Sequence, residues 1–129
     1  MSKEYALILG VSSGIGAACA TELAQSGINI IGLYMRKPKD QIEQLNNEIL
    51  SYNVDSKLIK MNACNYDEME SLLSSEEFND IKIKVLIHSL AFGSMKPLIH
   101  SDKPKRLNKK NIDMTIDVMS NSLIYWSQS

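Results

Sequence analysis

The chain of 129 residues has the length of one domain, so we expect a single domain over 1–129 without a second core. Its net charge of -1 predicts no binding to nucleic acid or an acidic membrane, and no apolar run approaches the ~20 residues that span a bilayer. The N-terminus lacks a signal-peptide core, so we expect a cytoplasmic protein. Cys19 and Cys64 lack metal-site or disulfide spacing, and we expect both to be small buried apolar residues and the chain to hold no metal.

Apolar runs alternate with helical patterns along the first 88 residues. The first run is nearly continuous, which is typical of a parallel strand covered on both faces. The alternation predicts an α/β fold with a doubly wound parallel sheet, truncated after about four strands. The predicted strands are 5–11, 28–34, 57–61 and 81–88, and the predicted helices lie at about 15–25, 42–49 and 69–73.

A long loop at 89–110 follows the fourth predicted strand, and helical spacing returns from 111 to 129. The loop is longer than a simple connection needs. It carries six of the 14 Lys and Arg residues, which either form solvated surface or bind an acidic partner or a phosphate tail. These residues are Lys96, Lys103, Lys105, Arg106, Lys109 and Lys110; the helix after them has Ile112, Ile116, Met119, Leu123 and Trp126 at helical spacing.

A glycine-rich stretch, Gly10-Val-Ser-Ser-Gly14-Ile-Gly16, lies between the first predicted strand and the first helix. Glycine permits a tight turn, a close backbone approach to a pyrophosphate and close packing of helix on strand. The free N–H groups at the helix start face the phosphate charge, and Ser12 and Ser13 add hydroxyl donors. The motif predicts a Rossmann-type dinucleotide site; the alternative is a tight turn that binds nothing.

The residues after the second predicted strand indicate which dinucleotide is bound. An acid commonly holds the ribose 2′-hydroxyl at this place, but no carboxylate precedes Asp40 here. Arg36 suits a 2′-phosphate, because its guanidinium offers paired N–H donors. We therefore expect NADP rather than NAD, the alternative being that Arg36 and Lys37 are only the polar start of a helix.

GxxxGxG after the first strand, with this order of elements, resembles the short-chain dehydrogenase/reductase family along essentially the whole chain. "VLIHSLAFGSMKP" resembles the enoyl-acyl-carrier-protein reductase branch, because His88-Ser89-Leu90-Ala91 stands where most of the family has Asn-Asn-Ala-Gly. "MTIDVMSNSLIYWSQ" resembles the long helix that follows the substrate loop. Met119 stands where most members carry a catalytic asparagine, which fits the enoyl-reductase branch better than a ketoreductase, and Asn121 is not assigned that role.

The resemblance implies which residues lie against the cofactor. The glycine stretch would line its phosphates, Arg36 would lie near the adenosine 2′-phosphate, and Asn62 and Ala63 would lie beside the adenine. The segment after the fourth strand would lie under the adenosine ribose, towards the nicotinamide. The implied residues are Gly10, Ser12, Ser13, Gly14, Ile15, Gly16, Arg36, Asn62, Ala63, Ser89, Leu90 and Ala91.

We expect no catalytic residue within the chain. The family's proton donor is a tyrosine followed by a lysine, both beyond the last predicted helix, and no lysine follows Tyr125. The resemblance therefore implies the N-terminal, cofactor-binding half of a reductase. His88 at the end of a buried strand is interpreted as structural, and His100 has no predicted partner.

The resemblance implies an NADP-dependent reductase of an enoyl thioester carried by acyl carrier protein. The alternatives are a 3-oxoacyl-acyl-carrier-protein reductase and a nucleotide-binding fragment without turnover. The basic loop would suit an acidic carrier protein. A homo-oligomer is expected, because the apolar fourth strand would be left at a sheet edge and the helix at 116–126 packs at a subunit interface in the family.

Overall fold

The computed structural model describes residues 3–12 and 14–129 of the chain. Ser13, one of the predicted phosphate-loop residues, lies outside the described residues. The pattern of contacts divides the chain into two compact units, one ending at Ser89 and the other comprising Leu90–Ser129. Each unit is described by itself below, and the expectation of a single domain stays a prediction.

The first unit contains one parallel sheet of four strands in the order β3-β2-β1-β4. This arrangement confirms the predicted α/β fold with four parallel strands. The order reverses beside β1, since β2 and β3 lie on one side of it and β4 on the other. The strands are β1 (Lys3–Leu9), β2 (Asn29–Tyr34), β3 (Ser56–Lys60) and β4 (Ile81–His88).

Three α-helices connect the strands, as their apolar spacing predicted. They are α1 (Gly14–Gln25), α2 (Lys39–Leu50) and α3 (Tyr66–Leu73), and a short 3-10 helix, Glu76–Phe78, precedes β4. All of residues 5–9 in β1 are buried, so both faces of this strand are covered. A core cluster on one side joins β1 and β2 to small residues of α1 and to Ile49 of α2.

The buried face of α1 is formed by small residues. Gly16, Ala20 and Ala24 are buried, whereas Ile15 is 75% exposed. Small residues face the core because they let the helix axis approach the sheet closely. Cys19 is only partly buried, and so is Cys64, so the expectation of two buried cysteines was wrong.

The second unit contains a long connection and one interrupted helix. The connection includes a 3-10 turn at Lys103–Lys105, and α4 (Lys109–Ile116) starts with a reciprocal capping box between Asn108 and Asn111. A π-helical turn, Asp117–Asn121, separates α4 from α5 (Ser122–Gln128). The helix therefore begins two residues earlier than predicted. Of the five apolar residues predicted along it, Trp126 alone is buried.

Candidate cofactor site

The carboxyl ends of the four strands of the first unit meet at one edge of the sheet, and each is followed by a predicted site residue. Gly10 follows β1, Arg36 comes two residues after β2, Asn62 two residues after β3, and Ser89 directly follows β4. Backbone hydrogen bonds join these ends: Gly10 N–H donates to Leu33 O at 3.0 Å. In open α/β sheets, ligands bind outside this edge, at the point where the strand order reverses.

The glycine stretch forms the turn from β1 into α1, and two of its glycines have left-handed backbone angles. Gly10 has φ +86° and Gly14 has φ +59°, a region that side chains with Cβ rarely adopt. Gly16 is required for a different reason, since a Cβ there would lie 1.9 Å from the carbonyl oxygen of Gly10. Each glycine therefore has a structural reason, and α1 begins at Gly14 with its N–H groups at the turn.

Gly32 in β2 also shapes this turn, and sequence reasoning missed it. A Cβ on Gly32 would lie 2.6 Å from Cγ1 of Val11 and 2.7 Å from its Cβ. Val11 is fully buried and donates its backbone N–H to Leu33 O at 3.0 Å, so it cannot move aside. An isolated glycine within an apolar strand marks a close approach of backbone, and that signal was available in the sequence.

Arg36 is exposed and lies beyond the end of β2. No carboxylate of the described residues forms an ion pair with it. Asp40 lies in the first turn of α2. The edge next to the glycine turn thus carries an arginine without an ion pair to a described residue, and a guanidinium offers paired N–H donors that suit a phosphate group.

The turn after β3 is held by the side chain of Asn62. Its Oδ1 accepts the backbone N–H of Cys64 at 2.9 Å, and its backbone N–H donates to Glu68 Oε2 at 3.3 Å. Asn65 caps α3 by accepting the backbone N–H of Glu68 at 3.1 Å. Asn62 is exposed, and its amide N–H groups can donate to a ligand, while Ala63 beside it is buried.

The remaining predicted site residues lie where the first unit ends, where the second unit begins, and at the start of α1. Ser89 donates its backbone N–H to Leu9 O at 2.8 Å, which fixes the end of β4 against β1. Ile15 presents an exposed apolar side chain at the start of α1. Leu90 and Ala91 are the first residues of the second unit, and Leu90 is half-buried.

The two histidines have different surroundings. His88, the last residue of β4, is half-buried and pairs in register with Leu9 of β1. His100 accepts the backbone N–H of Asp102 on Nδ1 at 3.0 Å, a local contact that the sequence did not predict. Among residues 3–12 and 14–129, no three His, Cys, Asp or Glu side chains are grouped as a metal site would require.

A parallel sheet with a glycine turn at its point of strand reversal defines a Rossmann-type nucleotide-binding fold. A family model described as Enoyl-(Acyl carrier protein) reductase matches residues 10–129. The chain therefore belongs to the short-chain dehydrogenase/reductase family, and the predicted family is confirmed. Its resemblance is to NAD(P)-dependent oxidoreductases. In the described part of the chain, no helix is both long enough and apolar enough to cross a membrane.

Two curated relatives have names that concern 3-oxoacyl substrates. The chain is 32% identical over 96 residues to a very-long-chain 3-oxoacyl-CoA reductase of Lodderomyces elongisporus, covering 74% of this chain and 27% of that protein. It is 32% identical over 87 residues to a 3-oxoacyl-acyl-carrier-protein reductase of Staphylococcus aureus, covering 66% of this chain and 35% of that protein. The chain thus spans about a third of the length of these relatives.

Two solved structures share the fold at low sequence identity. L-sorbose reductase from Gluconobacter frateurii, complexed with NADPH and L-sorbose, superposes with a TM-score of 0.80 at 16% identity, covering 98% of this chain and 46% of that chain. An NADH-dependent reductase of alginate metabolism, complexed with NAD, gives a TM-score of 0.79 at 22% identity, covering 98% and 50%. The chain therefore matches about half the length of each.

Proposed function

We propose that this chain is the cofactor-binding part of an NADP-dependent short-chain reductase. The observation that carries the proposal is the glycine turn with its left-handed Gly10 and Gly14, placed on the strand next to the one that Arg36 follows. The turn directs N–H groups to the cofactor phosphates, and Arg36 binds the 2′-phosphate. Neighbouring folds carry either NADPH or NAD, so the choice of cofactor rests on Arg36.

The other site residues act on the rest of the cofactor. Asn62 donates an amide N–H to the adenine while its oxygen holds the turn, and Ala63 provides a small apolar wall. Ser89, Leu90 and Ala91 lie under the ribose, and Ile15 lies against the phosphates. The hydroxyl groups of Ser12 and Ser13 are proposed as further donors to the phosphates. When bound, the reduced nicotinamide supplies a hydride to an acyl substrate.

The proposed substrate is an enoyl thioester linked to acyl carrier protein. Two features of the sequence support it. The segment His88-Ser89-Leu90-Ala91 resembles that branch, and Met119 stands where a ketoreductase would have its asparagine. The names of the two relatives favour the alternative, a 3-oxoacyl reductase. A third reading is that the chain binds nucleotide without turnover. NADPH oxidation by either an enoyl thioester or a 3-oxoacyl thioester would exclude the third reading, and the thioester that is reduced would identify the substrate class.

The cofactor proposal is tested by titrating the chain with NADPH and NADH and following heat. Arg36→Gln should weaken NADPH binding about 10- to 100-fold, as expected for hydrogen bonds to a charged group, and leave NADH binding unchanged. The matched control is Arg106→Gln, because these are the only two arginines and both are exposed. Equal binding of both nucleotides would remove Arg36 from the site, and binding of neither would overturn the proposal.

The basic loop is proposed to bind the acidic carrier protein. Lys105 pairs with Asp102 at 3.8 Å and Lys109 pairs with Asp113, which leaves four cations of the described loop without an ion pair. These are Lys96, Lys103, Arg106 and Lys110. Lys103→Gln with Arg106→Gln should weaken binding of acyl carrier protein, most clearly at low salt, whereas the exposed pair Lys39→Gln and Lys60→Gln should not. Equal effects of the two pairs would argue against the loop as the docking surface.

We also propose that the chain associates with itself. β4 pairs with β1 alone among the described strands, and its second half, residues 85–87, carries no charge, whereas Lys82 and Lys84 project from the first half. The helix of the second unit exposes Ile116, Met119, Leu123 and Ile124. Sedimentation at micromolar concentration should therefore show a species larger than the monomer, and a single monomeric species would contradict this.

A further inference from the structure

The segment that follows β4 contacts the helix of the second unit at two points. The backbone N–H of Phe92 donates to Sδ of Met119 at 3.2 Å. One residue later, Gly93 lies against Thr115, whose methyl carbon would be 3.1 Å from a Cβ at position 93. Residues 92 and 93 thus lie on side chains four residues apart on the helix, one turn from each other.

Thr115 is a fixed surface for this contact rather than a side chain that can give way. Its Oγ1 donates to the carbonyl oxygen of Asn111 at 2.8 Å, which holds the side chain in one rotamer. Asn111 in turn belongs to the capping box that starts α4. The glycine at 93 therefore matches a rigid partner, and a larger residue there would lift the segment from the helix.

Met119 lies within the π-helical turn. The N–H of Ser122 reaches the carbonyl oxygen of Asp117, five residues back, so this turn holds one residue more than an α-helical turn. Turns of this kind are frequent at functional sites. The thioether is a weak acceptor that apolar residues of similar volume cannot replace, and it binds the backbone of the segment directly.

We propose that Met119 is a positioning residue for cofactor binding. Its sulfur holds the backbone of Phe92, and thereby sets the path of Leu90 and Ala91, which the proposed function assigns to the ribose and nicotinamide side of the cofactor. The inference rests on that function. In this role Met119 contacts no reacting atom. It stands where most of the family has an asparagine, and there it holds the segment that follows β4.

The first test separates the hydrogen bond from the bulk of the side chain. Met119→Leu keeps an apolar side chain but removes the acceptor, and Met119→Gln supplies a new acceptor. Met114→Leu is the matched control, because Met114 is an exposed methionine of the same helix. Amide exchange at Phe92, followed by NMR, should accelerate in Met119→Leu only and be restored in Met119→Gln.

The second test asks whether the contact serves the cofactor. Met119→Leu should weaken NADPH binding about 3- to 10-fold, the range for loss of one hydrogen bond, and leave adenosine 2′,5′-bisphosphate binding unchanged. That ligand lacks the nicotinamide half, so a general loss of structure would weaken both. Gly93→Ala should give the same pattern. Adding Thr115→Ser to Gly93→Ala should restore NADPH binding, because it removes the methyl group that the new Cβ would contact and keeps a hydroxyl for Asn111.

The outcomes distinguish this inference from the proposed function. If the wild-type chain binds NADPH and Met119→Leu binds it equally well, the positioning role is wrong while the proposed function stands. Unchanged exchange at Phe92 in Met119→Leu also overturns it. If the wild-type chain binds neither NADPH nor the bisphosphate, the proposed function fails, and the assignment of this contact to cofactor binding fails with it.

Discussion

The two edges of the parallel sheet use polar groups in opposite ways. At the amino edge, Tyr5 donates its hydroxyl to Asp55, and Asn29 accepts the backbone N–H of Asp55 at 2.8 Å while donating to Glu4 O at 3.0 Å. At the carboxyl edge, Arg36 is exposed and forms no ion pair with a described residue. Polar groups that bind each other stabilise the fold, whereas those left open are available to a ligand.

This difference follows from the direction of the strands. All four strands run parallel, so each edge collects chain segments that are distant in sequence: Tyr5 and Asp55 are 50 residues apart. The amino edge pins β1, β2 and β3 together and fixes their register. We therefore expect substitutions at the amino edge to change stability without changing cofactor binding, and those at the carboxyl edge to change binding as well.

The largest effect is expected for Gly16→Ala at the carboxyl edge. Its Cβ would lie 1.9 Å from a backbone oxygen, so the turn must move, and we expect a loss of about 3 kcal/mol in the free energy of unfolding. NADPH binding should be lost as well. Urea unfolding and calorimetry provide both values. Ala18→Gly, at an exposed site of the same helix, should cost about 1 kcal/mol and leave binding intact, and similar losses for both would contradict the close contact.

Tyr5→Phe should be the strongest test of the amino edge. It removes the donor to Asp55, and a hydrogen bond to a charged group contributes about 2 kcal/mol to the free energy of unfolding. NADPH binding should be unchanged. Asp55→Asn and the double variant complete a cycle, and additive losses in that cycle would show that the two side chains do not stabilise each other.

The same pair predicts how stability depends on pH. Burial first, and then the hydrogen bond to Asp55, raise the pKa of Tyr5 to about 12, so its contribution is present below pH ~10 and is lost as pH rises towards 12. The hydrogen bond from Tyr5 lowers the pKa of Asp55, so its contribution is present above pH ~3.9 and is lost as pH falls through the lowered value.

The measurement is the difference in unfolding free energy between the wild-type chain and Tyr5→Phe. This difference should be largest between pH ~3.9 and pH ~10 and should decrease at lower and at higher pH. Absorbance of tyrosinate, compared between the two chains, isolates the titration of Tyr5 from that of the other four tyrosines. A pH-independent difference would contradict the ion-dipole character of the pair.

Gly14→Ala and Gly27→Ala form a matched pair that separates strain from binding. Both glycines have positive φ, +59° and +86°, and a Cβ at either position meets nothing within 4 Å. Each substitution should therefore cost about 1–2 kcal/mol of stability. Gly14→Ala alone should weaken NADPH binding, because only Gly14 lies in the phosphate turn. If the Gly14→Ala and Gly27→Ala variants bind NADPH with equal affinity, the glycine turn is not part of the cofactor site.

The smallest effect is expected for Ser56→Ala at the amino edge. The hydroxyl oxygen of Ser56 is buried, and no group among the described residues forms a hydrogen bond with it. Removing a polar atom without a partner should change the free energy of unfolding by less than about 0.5 kcal/mol, or raise it. If thermal unfolding shows a larger loss of unfolding free energy, the hydroxyl of Ser56 does form a stabilising hydrogen bond.

Much of the fold could be predicted because its signals are local. The run at Ile81–His88 and the spacing in α1 placed a strand and a helix to within a residue of their ends. Gly27 follows α1 with a φ of +86°, and a glycine of positive φ just after a helix is a common sequence signal for its end. The π-helical turn could not be predicted, because helical spacing continues through it.

The sequence by itself determined the order of strands and helices, the glycine turn and the family, because each depends on patterns within a few neighbouring residues. Parallel strands then bring Gly10 and Arg36 to one edge. Only the tertiary structure decided which contacts close around them: Gly32 against Val11, Tyr5 with Asp55, and Phe92 on Met119. These partners are 21 to 50 residues apart, and no local pattern specifies which distant side chain a residue meets.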